Sequence, residues 1–223
     1  MTDQRPTRFP QGLYGITPDW PDTDRLLDAV RHAASGGMTA LQWRRKTGAQ
    51  AARMIQGKAL RELCSALGVV FIVNDSLETA LQLDADGLHM GRDDGPLDLA
   101  RRALGPSRLL GASCYNQPEL AALALRDGAD YVAFGAMYAS QIKPGAVQAT
   151  LEHIQSGRRL VRQTDEPAGA TRAAVVAIGG ITAGNAAPLI EAGADSIALI
   201  SGLFEAPDVQ AAAAHCSALF KAG

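Results

Sequence analysis

The sequence has few of the features that mark secreted or membrane-spanning proteins. Only three of its 223 residues are cysteine, and Cys64, Cys114 and Cys216 are widely spaced. An odd number of cysteines without metal-ligand spacing argues against a disulfide framework and for the reducing cytoplasm. No apolar run approaches the roughly 20 residues of a membrane span, and the polar first eleven residues do not resemble a secretory signal. We therefore expect a cytoplasmic protein whose cysteines serve as small apolar residues.

The sequence also lacks a strong charge of either sign. Its 21 Lys and Arg residues against 23 Asp and Glu residues give a formal net charge of −2 and a pI near 6.1. Without a basic excess no long-range field attracts nucleic acid or an anionic membrane, so neither is expected as a partner. Any anion site must be local, and the sequence leaves open whether the chain forms a homo-oligomer.

Short apolar segments alternate with amphipathic helical segments along the whole chain. Eight such strand–helix units, at a mean spacing of about 28 residues, predict a single (β/α)8 TIM-barrel domain over residues 1–223. A doubly wound open sheet is the alternative, but no G-x-G-x-x-G motif follows the first strand. The predicted strands are 12–16, 40–44, 69–73, 87–90, 108–113, 131–134, 174–178 and 196–200.

Helices are predicted between these strands from apolar periodicity and end signals. The run Asn116 to Glu119 has the pattern of a capping box that starts the fifth helix. Residues 1–11 are predicted to form a polar N-terminal extension, and residues 164–173 an exposed loop. The predicted helices are 22–35, 50–67, 77–83, 96–104, 119–127, 150–163, 185–191 and 207–221.

A short repeat marks three junctions between a helix and the following strand. It reads DAD at 84–86 and GAD at both 128–130 and 193–195. Small residues and glycine suit the tight turn that such a junction requires.

Two acids follow consecutive predicted strands. Asn74 and Asp75 come directly after strand 69–73, and Asp94 lies in the polar run after strand 87–90. Neighbouring parallel strands lie roughly 4.8 Å apart, so carboxylates just beyond their ends can converge on one ion. Oxygen ligands of this kind suit Mg²⁺. In the alternative interpretation Asp75 or Ser76 only caps the next helix and residues 93–96 only form a turn.

Cations follow the second strand. Alternation places Gln42, Arg44 and Lys46 on one face, where they are costly to bury unless an anion meets them. The alternative is a solvated strand end. Ser113 ends the fifth strand, and the loop after the sixth strand contains Ser140 and Lys143.

The last two strands end in glycine-rich turns. Gly179 and Gly180 follow the seventh strand, and Ile200, Ser201 and Gly202 close the eighth. Many barrels bind a phosphate on backbone amides at these positions, although such glycines can also be turn formers alone. Acids and cations on one side and amides on the other suit one metal-bound polyphosphate and one monophosphate.

In their order and spacing, these motifs resemble the thiamine phosphate synthase family over nearly the whole chain. The resemblance implies small-molecule substrates and a Mg²⁺-dependent transferase. That enzyme joins 4-amino-2-methyl-5-hydroxymethylpyrimidine diphosphate to 4-methyl-5-(2-phosphoethyl)thiazole and releases diphosphate. The matching motifs are GLYGIT at 12–17, Gln42-x-Arg44-x-Lys46, Asn74–Asp75, His89-x-Gly91-x-x-Asp94, Gly111-x-Ser113, Lys143, Gly179–Gly180–Ile181 and Ile200–Ser201.

The resemblance also implies residue roles, with Lys143, Arg44 and Ser113 as the catalytic residues. Asp75 and Asp94 correspond to Mg²⁺ ligands. The diphosphate contacts are Arg44, Lys46, Asn74 and Lys143, the pyrimidine-side contacts are Gln42 and Ser113, and the thiazole-phosphate contacts are Ser140, Gly180, Ile200 and Ser201.

One departure from the family, one lone histidine and two alternative functions bear on this assignment. Ile142 stands where the family usually has a second hydroxyl, which bears on phosphate binding. His89 is expected to be a hydrogen-bonded structural histidine rather than a catalytic one. A thiazole-phosphate isomerase on the same barrel and a non-catalytic thiazole or thiamine phosphate binder are the alternative functions.

Overall fold

The structure, a computed structural model, describes residues 5–139, 145, 147–163 and 171–221. Within these residues, eight parallel strands pair in chain order and β8 returns to β1, which closes the barrel. The predicted (β/α)8 fold is therefore confirmed. The strands are β1 Gly12–Ile16, β2 Met38–Trp43, β3 Val70–Asn74, β4 Gly87–Met90, β5 Leu109–Tyr115, β6 Tyr131–Phe134, β7 Ala174–Ile178 and β8 Ser196–Leu199.

The helices lie outside the barrel. Among the described residues, none of them combines the length and the apolar character that crossing a bilayer requires. The helices are α1 Thr23–Ser35, α2 Gln50–Leu67, α3 Leu77–Gln82, α4 Leu97–Leu104, α5 Pro118–Arg126, α6 Leu151–Arg162, α7 Ala187–Glu191, α8 Ser201–Phe204 and α9 Val209–Ala218.

Several differences from prediction concern the helices. The capping box at 116–119 is wrong, because Gln117 is the N-cap of α5 and its side chain makes no capping bond. The chain turns at Tyr115, with φ of 54°, and leaves Asn116 outside the helix. The four-residue α8 is too short to give a periodic signal, and α9 is shorter than the predicted segment 207–221.

The core has an inner and an outer part. The outer part fills the space between the strands and the helices. The inner part lies inside the barrel and includes Phe9, Tyr14 and Tyr131, all buried. Phe9 belongs to the segment predicted as a polar extension, yet it packs 4.2 Å from Tyr131 and 4.9 Å from Tyr14 between ring centroids. Because Phe9 precedes β1, it covers the amino-terminal end of the barrel interior.

The repeat at the helix–strand junctions has a structural counterpart at the same end of the barrel. Asp86, Asp130 and Asp195 each accept a hydrogen bond from the backbone N–H near the start of the preceding strand. The donors are Phe71 at 2.8 Å, Leu110 at 2.8 Å and Val175 at 2.9 Å. Each aspartate also pairs with an arginine from the helix before that strand: Arg61, Arg101 and Arg158. This end of a barrel serves stability, whereas the carboxyl ends of the strands carry the site.

Candidate active site

The carboxyl ends of the strands open into a cavity of about 680 Å³. Two of the twelve residues predicted for the site, Ser140 and Lys143, lie outside the described residues. The other ten all line this cavity: Gln42, Arg44, Lys46, Asn74, Asp75, Asp94, Ser113, Gly180, Ile200 and Ser201. The fold therefore brings residues from six strand ends together, while their individual roles remain predictions.

Asp75 and Asp94 meet in this cavity. Asp75 takes a left-handed backbone conformation, with φ of 65°, and its N–H donates to the carbonyl of His89 at 2.8 Å. Asp94 is held by the Gly91 N–H, which donates to its Oδ2 at 2.6 Å. The carboxyls of Asp75 and Asp94 are close enough for Asp75 to raise the pKa of Asp94. Helix α3 is capped by Ser76, which accepts from the Thr79 N–H at 3.2 Å, so Asp75 does not act as its cap.

The electrostatics of this acid pair favour a cation. Burial raises the pKa of Asp94, and the Asp75 carboxyl adds to the increase, whereas the Gly91 N–H and Lys46 oppose it. Lys46 Nζ lies 3.4 Å from Asp75 Oδ2, but the lysine side chain is 57% exposed. Within the described residues, no cluster of three or more His, Cys, Asp or Glu side chains could hold a metal. Two adjacent carboxyls fit Mg²⁺, which usually takes one or two carboxylates together with substrate phosphates.

Strand β2 presents its polar face to the cavity. Gln42, Arg44 and Lys46 line it, while Trp43 is buried in the outer core and its Nε1 donates to Gln56 Oε1 at 3.1 Å. Thr17, the last residue of the GLYGIT motif, had no predicted role but fixes the end of the strand. Its Oγ1 accepts from the Arg44 N–H at 2.9 Å, and its own N–H donates to the Gln42 carbonyl at 2.9 Å.

The glycines after β7 are required by the backbone. Gly179 and Gly180 have φ of 100° and 64°. A Cβ at Gly180 would lie 2.6 Å from the Ala139 carbonyl oxygen. Both positions therefore need glycine for conformation and close backbone approach. They line the same cavity as Ile200 and Ser201, and phosphate binding there remains a prediction.

A connected set of polar side chains crosses the barrel interior. Gln42 Nε2 donates to the Tyr14 hydroxyl at 2.8 Å, and the Tyr14 and Tyr131 hydroxyl oxygens are 2.9 Å apart. The Tyr131 hydroxyl lies 3.0 Å from His89 Nδ1, and His89 Nε2 lies 2.8 Å from Ser113 Oγ. Burial lowers the pKa of His89 from 6.5 to about 4. His89 is thus neutral near pH 7 and has partners at both ring nitrogens, as expected for a hydrogen-bonded structural histidine.

One side of the cavity wall was not predicted. The Arg92 guanidinium lies 5.1 Å from the centre of the Tyr115 ring, and Arg92 Nη2 donates to Gln117 Oε1 at 3.0 Å. All three residues line the cavity. The fifth strand extends two residues beyond its predicted end at Ser113, which brings Tyr115 to the cavity.

The fold and this cavity define a (β/α)8-barrel protein with paired acids and nearby cations at the carboxyl ends of its strands. The particular family follows from comparison with known proteins. The family model described as thiamine monophosphate synthase matches residues 13–203, and the chain belongs to this family.

Individual relatives agree with this assignment. The chain is 56% identical over 213 residues to a thiamine-phosphate synthase of Bordetella pertussis, covering 96% of each chain. It is 49% identical to that of Thiobacillus denitrificans, covering 96% of this chain and 97% of the relative. Among solved structures, a thiamine phosphate pyrophosphorylase from Pyrococcus furiosus superposes with a TM-score of 0.78 at 33% identity, covering 95% of this chain and 96% of that one.

Proposed function

We propose that this chain condenses 4-amino-2-methyl-5-hydroxymethylpyrimidine diphosphate with 4-methyl-5-(2-phosphoethyl)thiazole to give thiamine phosphate and diphosphate. Relatives named thiamine-phosphate synthase, which match nearly the whole chain, support this reaction. The structural observation that carries the proposal is the Asp75–Asp94 pair beside Lys46 at the carboxyl ends of β2, β3 and β4. An isomerase of the thiazole phosphate alone has no need of such a diphosphate subsite.

Asp75 and Asp94 are the residues that we propose to hold Mg²⁺. Both offer oxygen ligands only, and their mutual repulsion is relieved by a divalent cation. When bound, Mg²⁺ supplies positive charge against the oxygens of a diphosphate.

The chain's own residues then need to stabilise the leaving group, and none of them has to attack the substrate as a nucleophile. In the proposed dissociative reaction the bond between the pyrimidine methylene carbon and the diphosphate oxygen breaks first, diphosphate keeps the electron pair, and a cation-like pyrimidine remains. The lone pair of the thiazole nitrogen forms the new carbon–nitrogen bond, so no protein nucleophile is required. Arg44, Lys46, Asn74 and the predicted Lys143 offer donors where negative charge develops on the diphosphate.

The remaining predicted residues hold the two rings in line. Gln42 and Ser113 lie at the wall where the pyrimidine is proposed to bind. Gly180, Ile200 and Ser201 lie where the thiazole phosphate is proposed to bind, and Ser140, which is outside the described residues, is predicted from the sequence to contact the same group. Holding both reactants in reacting geometry supplies a large part of the catalysis in such a reaction. The proposed substrates of the protein are small polar molecules. We also propose that the protein is located in the cytoplasm, in agreement with its three free, buried cysteines.

The test is to mix the purified protein with both substrates and Mg²⁺ and to follow diphosphate release and thiamine phosphate formation. The proposal predicts that the two products appear in equal amounts and that neither appears when the thiazole phosphate is omitted. Conversion of a thiazole phosphate tautomer alone would indicate the isomerase. Ligand binding without turnover would indicate a non-catalytic binding protein.

A further inference from the structure

The connected set of polar side chains that crosses the barrel interior reaches the cavity at both of its ends. Gln42 and Ser113 line the cavity, as does His89, whereas Tyr14 and Tyr131 lie in the barrel interior, at most 1% exposed. Four hydrogen bonds of 2.8 to 3.0 Å connect these five side chains in the order Gln42, Tyr14, Tyr131, His89, Ser113. The hydrogen bonding of Gln42 at one end is therefore linked through the core to that of Ser113 at the other end.

The protons in this chain can be assigned from Gln42 onward. The Gln42 amide nitrogen can only donate, so the Tyr14 oxygen accepts. Tyr14 has one proton, and its other bond is to Tyr131. If Tyr131 donated to Tyr14, the Tyr14 proton would be buried without an acceptor, which costs about 1–3 kcal/mol. Tyr14 therefore donates to Tyr131.

The same accounting fixes the tautomer of the histidine. Tyr131 accepts from Tyr14, so its own proton goes to His89 Nδ1. His89 is neutral, and with Nδ1 accepting, its proton must be on Nε2. Nε2–H then donates to Ser113 Oγ, which leaves the serine proton for the cavity. At the other end, Gln42 uses its amide nitrogen internally and keeps its amide oxygen for the cavity.

We propose that Tyr14, Tyr131 and His89 are positioning residues that hold the Ser113 hydroxyl as a hydrogen-bond donor and the Gln42 amide oxygen as an acceptor toward the substrate. This pair suits a ligand that brings one acceptor and one donor, as an aminopyrimidine does with a ring nitrogen and its amino group. The identity of this ligand rests on the proposed function, whereas the His89 tautomer is a property of the protein without a ligand.

The packing around Tyr131 keeps this chain in place. A Cβ at Gly111 would overlap the Tyr131 ring, so the glycine of the Gly111-x-Ser113 motif makes the space that Tyr131 occupies. The Phe9 ring packs on the other side, with centroids 4.2 Å apart, and the His89 ring stacks at 5.5 Å. With neighbours on these sides, the Tyr131 hydroxyl has little freedom to leave His89.

The direct test is the ¹⁵N NMR spectrum of the full-length protein labelled at histidine, with the His89 signals assigned by their loss in H89Q. The proposal predicts a protonated Nε2 and an unprotonated Nδ1 near neutral pH. A protonated Nδ1 would mean that every bond in the chain runs the other way, with the Gln42 amide reversed, and would overturn the proposal. This measurement needs no variant of the buried tyrosines.

Two matched variants test the positioning role, because each removes one buried hydroxyl from the same core. Y131F removes the donor to His89, so we expect a mixed or reversed tautomer and a kcat reduced by about tenfold or more, the scale of one lost hydrogen bond. Y14F leaves the bond from Tyr131 to His89 intact. We expect it to retain the tautomer of the unmodified protein and instead to raise the KM for the pyrimidine diphosphate, because Gln42 loses its anchor.

Each outcome has a separate meaning. An unchanged His89 spectrum in Y131F, or equal effects of the two variants on kcat and KM, would contradict the proposal and indicate a role in packing alone. Circular dichroism of both variants establishes that they fold. If the unmodified protein shows the expected tautomer but makes no thiamine phosphate, then the proposed function fails while the proton order stands.

Discussion

Lys46 Nζ lies 3.4 Å from Asp75 Oδ2, across the gap between the ends of β2 and β3. The contact joins the cationic and acidic halves of the cavity, because Asp75 also contacts Asp94 from β4. A lysine that serves a diphosphate would be drawn away from Asp75 when that carboxylate binds a divalent cation. In the proposed function, the acid pair and the cations that follow β2 would bind the metal–diphosphate complex together.

Removal of Lys143, the loop residue after the sixth strand that is predicted to contact the diphosphate, should slow the reaction. We expect Lys143→Ala to lower kcat by roughly a hundredfold or more, the scale for one preorganised charge-stabilising donor. The matched control is Lys58→Ala, because Lys58 is exposed on α2 and should leave kcat unchanged. Steady-state diphosphate release measures both, and near-normal turnover of Lys143→Ala would remove Lys143 from the mechanism.

The stability of the protein should fall in acid because of His89. Its pKa is lowered to about 4 in the folded state, so below pH 6.5 the unfolded chain binds a proton that the folded chain does not. The stabilisation is complete above that pH and is lost as the pH falls toward about 4. At about 1.4 kcal/mol per pKa unit, the loss reaches about 3 kcal/mol.

Urea unfolding near pH 7 and near pH 4 measures this contribution when the protein is compared with H89N. The variant lacks the titrating ring, so its free energy of unfolding should fall less over the same interval. Because both proteins contain the same carboxylates, their contribution cancels in the comparison. An identical pH dependence in the two proteins would show that His89 titrates normally.

The buried arginine–aspartate contacts at the amino-terminal end of the barrel should matter for stability rather than activity. Asp130 is 3% exposed and accepts from Arg8 and Arg101 at 2.6 Å each. Asp130→Ala would remove the counter-charge of two arginines and the acceptor of the Leu110 N–H, and we expect a loss of about 3–5 kcal/mol. Asp98→Asn in the first turn of α4 is the control, since it removes only a partly exposed ion pair with Arg102 at 3.3 Å, and we expect a change within about 1 kcal/mol.

The three cysteines should react slowly with thiol reagents in the native protein. Burial raises the pKa of Cys64 and of Cys114 to about 12 and that of Cys216 to about 11, so little thiolate forms near neutral pH. Labelling with a chromogenic disulfide reagent should therefore be slow in buffer, with three thiols reacting rapidly in urea. A rapid native phase would show that at least one of these side chains is accessible.

Local sequence patterns were sufficient to predict the barrel and the meeting of its acids. The strands 12–16, 87–90, 131–134 and 174–178 were predicted with the observed bounds because each is a short apolar run between clear turn residues. Asp75 and Asp94 could be paired in advance because consecutive parallel strands are neighbours in a barrel. Strand order thus places their segments side by side.

Contacts between strands far apart in the chain could not be read in this way. Alternation shows that Tyr14 and Tyr131 point inward, but not that their hydroxyls meet across 117 positions. Phe9 precedes the first strand in a polar segment, and its burial depends on the space that the opposite strands leave open. Thr17 ends the GLYGIT motif, but nothing in that motif shows that its side chain bonds to the end of β2. These residues are placed by the closure of the barrel rather than by local pattern.

The central claim is that Asp75 and Asp94 together hold the Mg²⁺ used in diphosphate release, and a Mg²⁺ titration of activity tests it most directly. The experiment compares the unmodified protein with Asp75→Asn, Asp94→Asn and the surface control Asp98→Asn. The account predicts that both site variants need at least about tenfold more Mg²⁺ for half-maximal rate, while the control titrates normally. Half-maximal Mg²⁺ concentrations that are the same in all four proteins would contradict it.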